Sequence, residues 1–386
     1  METTMNTDLH GEAKPKFQAV RNAFAQGFDS GREAGARLCV IQGGEPVVDL
    51  WSGHTDRDRS LPWSEDTLVC CFSISKAITA TCLLMAVDDG ILELDTSIAH
   101  YWPEFASSGK ERTTLRHVLS HQAGLPGFHE PVQKALYYDW QGVTTALAEE
   151  APWWAPGSGH GYHARTFGFL LGEILRQVTG QSISEWLRNR ITSPRHIDFH
   201  FQLDADQQAR CADMIPAKVK PGDQSGWSPA MQRMAKDFLD RSTPTGAAFQ
   251  NPAMGPGYMN KADFREALMP ALNGHGHARS VAEFFAAIPE LISAELLAEA
   301  TRTQSVGPDR VLKSTTRFGL GYMLYEDESP IGWPGCFGHA GAGGSIAFLD
   351  PATQTAFAFT MNQMQEGVVT GGTTALACIQ ALQSCL

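Results

Sequence analysis

The sequence predicts an α/β fold of the α+β type, with an antiparallel sheet flanked by both terminal helices and an inserted, mainly helical lobe. Three observations support this prediction. Strand-like hairpins lie near both ends of the chain, helical periodicity dominates the middle, and 386 residues exceed the roughly 100–200 residues of an average domain. We expect residues 1–70 and 290–386 to form the sheet lobe and residues 71–289 to form the helical lobe.

The N-terminal segment predicts a helix followed by two antiparallel strands. Four apolar residues recur there at helical spacing, namely Phe17, Val20, Phe24 and Phe28. Two apolar runs, 37–42 and 46–51, then flank Gly43-Gly44-Glu45, which is typical of a β-hairpin.

The C-terminal segment mirrors this order. The runs 345–350 and 354–362 flank a turn at 351–353, and a helix with one apolar face follows over 375–386. Because both ends carry strands and a helix, one sheet covered by both terminal helices is the most economical arrangement.

The middle of the chain is predominantly helical in its periodicity. The helical stretches are 73–89, 115–121, 167–179, 183–190 and 281–288. One stretch, 216–256, is rich in Pro and Gly and predicts a long irregular loop, which is either functional or a solvent-exposed excursion.

Composition and charge restrict the class of protein. Lys and Arg total 30 against 42 Asp and Glu, and a net charge of −12 argues against a nucleic-acid partner. The apolar run 77–87 is far shorter than the roughly 20 residues needed to span a membrane. Residues 1–16 lack a secretory h-region, and eight scattered Cys indicate buried, reduced thiols. We therefore expect a cytoplasmic protein without a membrane span; the oligomeric state stays open.

The sharpest local motif is Ser73-x-x-Lys76 at the start of a predicted helix. A spacing of three residues places both side chains on one helix face, so the Lys76 amine can reach the Ser73 hydroxyl. Serine needs such a base, and lysine can act as one only if its pKa is lowered from about 10.4. The apolar neighbours favour that shift, and the helix N-terminus favours an oxyanion near Ser73. The alternative is a helix start with Ser73 or Ser75 as the cap and Lys76 on a solvated face.

Two glycine-rich segments supply further candidates. The segment 156–164 contains Tyr162, whose phenol can relay a proton to a leaving group; alternatively, Tyr162 packs beneath a turn. The segment 337–345 contains His339, and its backbone N–H groups can form half of an oxyanion hole, with the Ser73 N–H as the other half. The alternative for this segment is a turn with an incidental His.

Other catalytic motifs fail on inspection. Gly159-x-Gly161-x-x-Ala164 follows Pro156 and a polar turn instead of the apolar strand that a dinucleotide site requires. The pair His275-Gly276-His277 has no neighbouring carboxylate in sequence and predicts a turn with partly exposed His. We therefore expect no cofactor and no metal.

The sequence resembles the serine β-lactamase and penicillin-binding-protein superfamily, most closely its class C-like family VIII carboxylesterases. The resemblance lies in three motifs and their chain order: Ser73-x-x-Lys76, then Tyr162, then His339-Ala340-Gly341. The resemblance spans most of the chain. It implies a two-lobed fold with the active site in the cleft between the lobes. It also implies that Ser73 attacks an acyl carbon, that Lys76 and Tyr162 handle its proton, and that the N–H groups of Ser73 and Ala342 bind the oxyanion.

Two departures from the family pattern affect the expected substrate. Penicillin-processing relatives usually carry Lys where this chain has His339, and Asn where it has Ala164. Neutral His is a weaker anchor for a substrate carboxylate, and Ala cannot hydrogen-bond an amide. Both changes favour esters with small or apolar acyl groups over β-lactams.

The expected substrate contacts are His339 and Gly341 of the third motif, together with aromatic residues of the cleft loops. Trp153 and Trp154 are the main candidates, with Tyr137, Tyr138 and Trp140 behind them; alternatively, these aromatics are core residues.

The resemblance thus predicts a serine carboxylesterase that cleaves short- to medium-chain esters through an acyl-enzyme, with a small-molecule ester as its partner. The alternatives are a β-lactam, amide or D-amino-acid peptide hydrolase, an acyltransferase of the same fold, or a catalytically silent ligand-binding relative.

Overall fold

The computed structural model describes residues 8–217, 229–326, 329, 331–366 and 369–386. The α-helices are α1 (Gln18–Asp29), α2 (Ile74–Asp88), α3 (Ile98–Tyr101), α4 (Leu115–Leu119), α5 (Trp140–Glu149), α6 (Thr166–Thr179), α7 (Ile183–Leu187), α8 (Ser193–Arg195), α9 (Ala205–Ala209), α10 (Pro229–Phe238), α11 (Pro244–Gln250), α12 (Ala262–Glu266), α13 (Ala278–Leu291), α14 (Ala294–Ala300) and α15 (Thr373–Gln383). The strands are β1 (His10–Ala13), β2 (Gly35–Gln42), β3 (Glu45–Gly53), β4 (Val69–Cys70), β5 (Phe199–His200), β6 (His275–Gly276), β7 (Ser305–Pro308), β8 (Thr315–Phe318), β9 (Met323–Leu324), β10 (Phe337–Ala340), β11 (Ile346–Asp350) and β12 (Thr355–Met361).

A large antiparallel sheet joins the two ends of the chain. Within the described residues it contains nine strands in the order β1-β3-β2-β12-β11-β10-β9-β8-β7. Both predicted hairpins are present: β2 pairs with β3 and β11 pairs with β12. The pairing of β2 with β12 brings the N-terminal and C-terminal segments together in the middle of the sheet.

Helices cover both faces of this sheet. Phe24 of α1 makes an edge-to-face contact with Phe359 of β12 at 6.2 Å between ring centroids. The adjacent strand residue Ala358 points to the opposite face, because side chains alternate along a strand. On that face Arg279 of α13 forms an ion pair with Asp49 of β3.

The two terminal helices lie side by side on the same face. A Cβ added to Gly27 of α1 would meet Thr374 Cγ2 of α15 at 2.5 Å, so the absence of a side chain at Gly27 permits their close approach. The expected sheet flanked by both terminal helices is confirmed.

The helical lobe is organised around α2. Every residue from Ile74 to Ala86 is buried, whereas a surface helix would have one polar face. The helix contacts α6 and α7 in the helical lobe as well as β10 of the sheet and α13. A short sheet of β4, β6 and β5 lies beside its N-terminus. The start of α2 therefore lies between the large sheet and the short one.

Two expectations about the middle of the chain need revision. The stretch 216–256 contains α10 and α11, so it is not one long irregular loop; its residues 218–228 lie outside the described residues. The expected boundary at 289 falls inside α13, and α13 packs on the sheet. We propose to place the boundary between β6 and α13 instead. Among the described helices, none combines the length and apolarity that a membrane span requires.

Candidate active site

Ser73 lies at the N-terminus of α2, in a backbone held from two sides. Phe72 has a φ of 47°, a strained left-handed conformation that persists only when its surroundings enforce it. On one side, the Cys71 N–H donates to Gly274 O at 2.8 Å. On the other, a Cβ added to Gly341 would lie 2.7 Å from Cys71 O, so only glycine lets the end of β10 approach this closely. These contacts fix the direction in which Ser73 projects.

Lys76 is fully buried one turn into α2, as the spacing predicts. Its Nζ lies 3.0 Å from Ser73 Oγ, 2.8 Å from Ala164 O and 2.9 Å from Ala271 O. Burial lowers the pKa of Lys76 well below its usual value. A neutral amine has two N–H groups and one lone pair. When the two carbonyls accept the N–H groups, the lone pair is left to accept the Ser73 hydroxyl proton.

Tyr162 completes a group of three with Ser73 and Lys76. Lys76 Nζ lies 4.7 Å from the centroid of the Tyr162 ring, and the ring stacks on Phe318 at 6.2 Å. Among the described residues its buried hydroxyl has no hydrogen-bond partner. Burial raises the pKa of Tyr162, and the nearby Ser73 hydroxyl offsets part of the rise. Tyr162 is therefore a neutral phenol, suited to donating a proton.

Two neutral histidines support the loop that carries Tyr162. His163 Nδ1 lies 2.8 Å from Gly161 O, and His163 Nε2 accepts the Leu125 N–H at 2.9 Å. Burial lowers the pKa of His163 to about 3, so the ring stays neutral. His121 Nδ1 accepts the His163 N–H at 3.2 Å, and its ring lies 5.0 Å from that of Tyr162. Neither histidine belongs to a catalytic motif, so this supporting role was not predictable from the sequence.

Ser73 and Ala342 line the same cavity, as the oxyanion-hole hypothesis requires. Ala342 begins a helical turn that contains Gly343 and Gly344, whose φ angles of 80° and 122° suit glycine. In the part of the chain that the structure describes, no turn or loop carbonyl accepts the N–H of Ser73 or Ala342. Both N–H groups are thus available to a ligand.

The cavity has a volume of about 490 Å³ and a largely apolar wall. Apart from Ser73, Tyr162 and Ala342, its lining is Phe72, Ala164, Arg165, Phe238, Phe249, Gln250, Ala253, Met254, Gly255, Tyr258, Met259, Leu272 and Met364. Most of these residues come from the stretch 238–259, which overlaps the Pro- and Gly-rich stretch 216–256 except for its last three residues. Aromatic and Met side chains give an adaptable apolar surface.

The tryptophans expected in the pocket lie elsewhere. Trp153 stacks on His129 at 4.0 Å, and its Nε1 donates to Gly127 O. Trp154 is 5% exposed and packs in a separate apolar cluster beside Tyr162. Neither residue lines the cavity. The alternative interpretation, that these aromatics are packing residues, fits the structure.

His339 and Gly341 also do not line the cavity. His339 is fully buried, its Nδ1 lies 2.7 Å from Ala340 O, and its ring lies 6.0 Å from that of Tyr162. Burial lowers the pKa of His339 to about 3, so it is neutral and not an anion anchor. Gly341 acts sterically, by leaving room for Cys71 O. The cavity therefore gives no support to the expected substrate contacts of His339 and Gly341, which stay predictions.

The pair of His outside the site is also buried, contrary to expectation. Burial lowers the pKa of His275 to about 3, and His277 Nε2 lies 3.5 Å from Asp198. Within the described residues, no group of three or more His, Cys, Asp or Glu is arranged to hold a metal ion.

Comparison with known proteins places this geometry in a family. The Beta-lactamase family model matches residues 20–380. The chain is 35% identical over 378 residues to the protein named Esterase/beta-lactamase LipL of Mycobacterium tuberculosis (strain ATCC 25618 / H37Rv), covering 94% of this chain and 84% of that relative.

Two solved structures share the fold over nearly the whole chain. One is described as a family VIII carboxylesterase, with a TM-score of 0.88 and 33% identity over 98% of this chain and 100% of that one. The other is a penicillin-binding-protein homologue from Caulobacter crescentus, with a TM-score of 0.88 and 34% identity at the same coverage. The predicted resemblance is confirmed: the chain belongs to the Beta-lactamase family and is a hydrolase of that fold.

Proposed function

We propose that the protein is a serine carboxylesterase that cleaves short- to medium-chain esters through an acyl-enzyme on Ser73. The observation that carries this proposal is the position of Lys76, whose Nζ lies near two carbonyl oxygens and 3.0 Å from Ser73 Oγ. A buried amine with a lowered pKa is the adjacent base that a serine nucleophile needs.

The residues support a balanced reaction sequence. Lys76 takes the proton of Ser73 as Oγ bonds to the ester carbon, and the N–H groups of Ser73 and Ala342 bind the resulting oxyanion. When the carbon–oxygen bond to the alcohol breaks, Tyr162 gives its proton to the leaving oxygen and receives the proton held by Lys76. Water then attacks the acyl carbon and gives a proton to the Lys76–Tyr162 pair. The pair passes that proton to Ser73 Oγ as the bond between Oγ and the acyl carbon breaks and the carboxylic acid is released.

The cavity supports an apolar acyl group. Its wall carries Phe238, Phe249 and Met254, and the methyl group of Ala164 replaces the amide expected in penicillin-processing relatives. The buried, neutral His339 cannot act as a cationic anchor for a substrate carboxylate.

A β-lactam hydrolase is the second candidate, because the 35%-identical relative is named an esterase/beta-lactamase. Parallel assays with 4-nitrophenyl butyrate and nitrocefin separate the two functions. We expect the ester to be cleaved with a much higher kcat/KM; faster turnover of nitrocefin would favour the second candidate.

Ser73→Ala tests the nucleophile directly. We expect it to abolish hydrolysis of 4-nitrophenyl butyrate and covalent labelling by a fluorophosphonate, measured by intact mass. Ser75→Ala is the matched control, because Ser75 Oγ accepts the Gly274 N–H at 3.0 Å in the same turn. The control should lose about 1 kcal/mol of stability but still label at Ser73. Labelling of the Ser73→Ala protein would contradict the assignment.

We also propose a cytoplasmic, reducing location. All eight cysteines are free and six of them are buried, which supports a protein that folds without disulfides. Fractionation of the native cells with an antibody against the protein tests this, and recovery from the secreted fraction would contradict it.

A further inference from the structure

A buried carboxylate connects the outer edge of the sheet to the loop of Tyr162. Asp309 lies in the turn between β7 and β8 and is 2% exposed. Its Oδ1 accepts three backbone N–H groups, from Tyr162 at 3.1 Å and from Val311 and Leu312 at 2.8 Å each. Its Oδ2 accepts the Thr316 hydroxyl at 3.1 Å. All four donors converge on one side chain.

The environment of Asp309 differs from that of an ordinary ion pair. In the described part of the chain, no Lys or Arg forms a salt bridge with Asp309, so hydrogen bonds must compensate for the burial of its polar oxygens. Thr316 Oγ1 also lies 2.8 Å from His160 Nε2, and His160 is two residues before Tyr162. The Arg310 N–H also donates to His160 O at 3.1 Å, so the turn holds the tyrosine loop at three points.

Asp309 could cap its own turn without contacting Tyr162. The N–H groups of Val311 and Leu312, two and three residues further on, already make the local turn that Asp commonly forms. The Tyr162 N–H comes from 147 residues away in sequence. This third contact is the one that fixes the backbone of a catalytic residue.

We propose that Asp309 is a positioning residue that holds Tyr162 where its phenol can protonate the leaving group. The inference rests on the proposed esterase function. In this role Tyr162 gives its proton to the leaving oxygen of the ester. Lys76 then returns the proton of Ser73 to Tyr162, so the step leaves no net change in either residue.

A comparison of two leaving groups tests this role. Ethoxide must be protonated as it leaves, whereas 4-nitrophenolate is a stable anion that needs little assistance. We expect Asp309→Ala to lower kcat/KM for ethyl butyrate by about 10²-fold or more, the size of a general-acid contribution. The loss for 4-nitrophenyl butyrate should be under about 10-fold. All rates are expressed per active site titrated with a fluorophosphonate, so that a smaller folded fraction does not enter the comparison.

Three variants complete the design. Asp309→Asn keeps an oxygen that can accept the three N–H groups, so it should restore ethyl butyrate hydrolysis to within several-fold of the natural protein. Asp309→Glu displaces the carboxylate by one methylene and should repeat the selective loss if Asp309→Ala does not fold. Asp350→Ala is the matched control, since Asp350 is equally buried and caps a turn through Ala352 N–H and the Thr353 hydroxyl away from the cavity.

The outcomes separate the possibilities. Equal losses for both esters, a selective loss in Asp350→Ala, or no recovery in Asp309→Asn would overturn the positioning role while leaving the esterase function intact. A natural protein that cleaves neither ester and does not label at Ser73 would overturn the proposed function and this role with it.

Discussion

Lys76 has two opposing effects on the protein at the scale of a single residue. A buried lysine destabilises the fold when it is charged, and here the carbonyls of Ala164 and Ala271 satisfy its N–H groups. The same burial lowers its pKa, which makes the amine a base. Because only the neutral amine can accept the Ser73 proton, activity should rise as the pH increases through the lowered pKa of Lys76. Below that pKa the amine is protonated and activity is lost.

Lys76→Arg should therefore lower kcat/KM by about 10²–10⁴-fold, since guanidinium does not lose its proton in this pH range. Lys110→Met is the matched control, because Lys110 is also buried and donates to Ala148 O at 2.9 Å, away from the cavity. Ester hydrolysis per titrated site should be nearly unchanged in the control. An active Lys76→Arg protein would rule out Lys76 as the base.

At the scale of elements, the site depends on how closely the end of β10 approaches the start of α2. A Cβ at position 341 would lie 2.2 Å from Ser345 Oγ and 2.7 Å from Cys71 O, both closer than real contacts allow; the Ser345 hydroxyl can rotate away, but the Cys71 carbonyl cannot. Either the Phe72–Ser73 backbone or the turn that begins at Ala342 must then move. Displacements of a few tenths of an ångström are enough to disturb a nucleophile and an oxyanion hole.

We expect Gly341→Ala to lower kcat/KM for 4-nitrophenyl butyrate by about 10-fold or more per titrated site. Gly338→Ala provides the comparison: its Cβ would lie 2.1 Å from Ala347 O of β11, so the clash falls within the sheet instead of at Ser73. It should reduce stability, measured by urea unfolding, and change the rate per site much less. Similar rates per site in the two variants would count against the steric role of Gly341.

At the scale of the whole molecule, Glu33 links the two terminal segments. Glu33 lies in the loop that joins α1 to β2, its carboxyl group is buried, and Gln365 Nε2 of the C-terminal segment donates to Oε1 at 3.2 Å. Burial raises the pKa of Glu33 from 4.5 to about 7. Between pH 4.5 and about 7, Glu33 therefore keeps its proton in the folded state but has released it in the unfolded state. The contribution of Glu33 to the free energy of unfolding is therefore greatest below about pH 4.5 and falls as the pH rises to about 7.

At roughly 1.4 kcal/mol for each pKa unit, the shift from 4.5 to about 7 means that ionisation of Glu33 lowers the free energy of unfolding by about 3.5 kcal/mol. Glu33→Gln should remove most of this pH dependence, so that its free energy of unfolding exceeds that of the natural protein at pH 8 by more than at pH 5. Urea unfolding at both pH values measures the difference. Glu173→Gln is the control, because Glu173 forms an ion pair with Arg176 and its own pKa is lowered, so it is ionised at both pH values. This variant should show the same change in stability between pH 5 and pH 8 as the natural protein. An unchanged slope in Glu33→Gln would contradict the assignment.

The sequence was most informative where chemistry depends on local spacing. Ser73 and Lys76 are separated by one helical turn, and a helix brings such a pair together wherever it lies. The hairpins at 43–44 and 351–354 were equally predictable, because turn residues between apolar runs specify them within a few positions. The order of the three motifs then identified the family.

The remaining features depend on contacts between distant segments. Ala164 and Ala271, whose carbonyls contact Lys76, lie 88 and 195 residues from it, and a carbonyl is present at every position. Asp309 lies in an ordinary turn until the fold brings Tyr162 to it. Tryptophan and histidine side chains suit a cleft or a core equally well, so only the folded chain shows that Trp153, Trp154 and His339 are outside the cavity. Periodicity and spacing decide what a segment forms and which neighbours on it can react; burial and long-range packing decide which side chains substrate can reach.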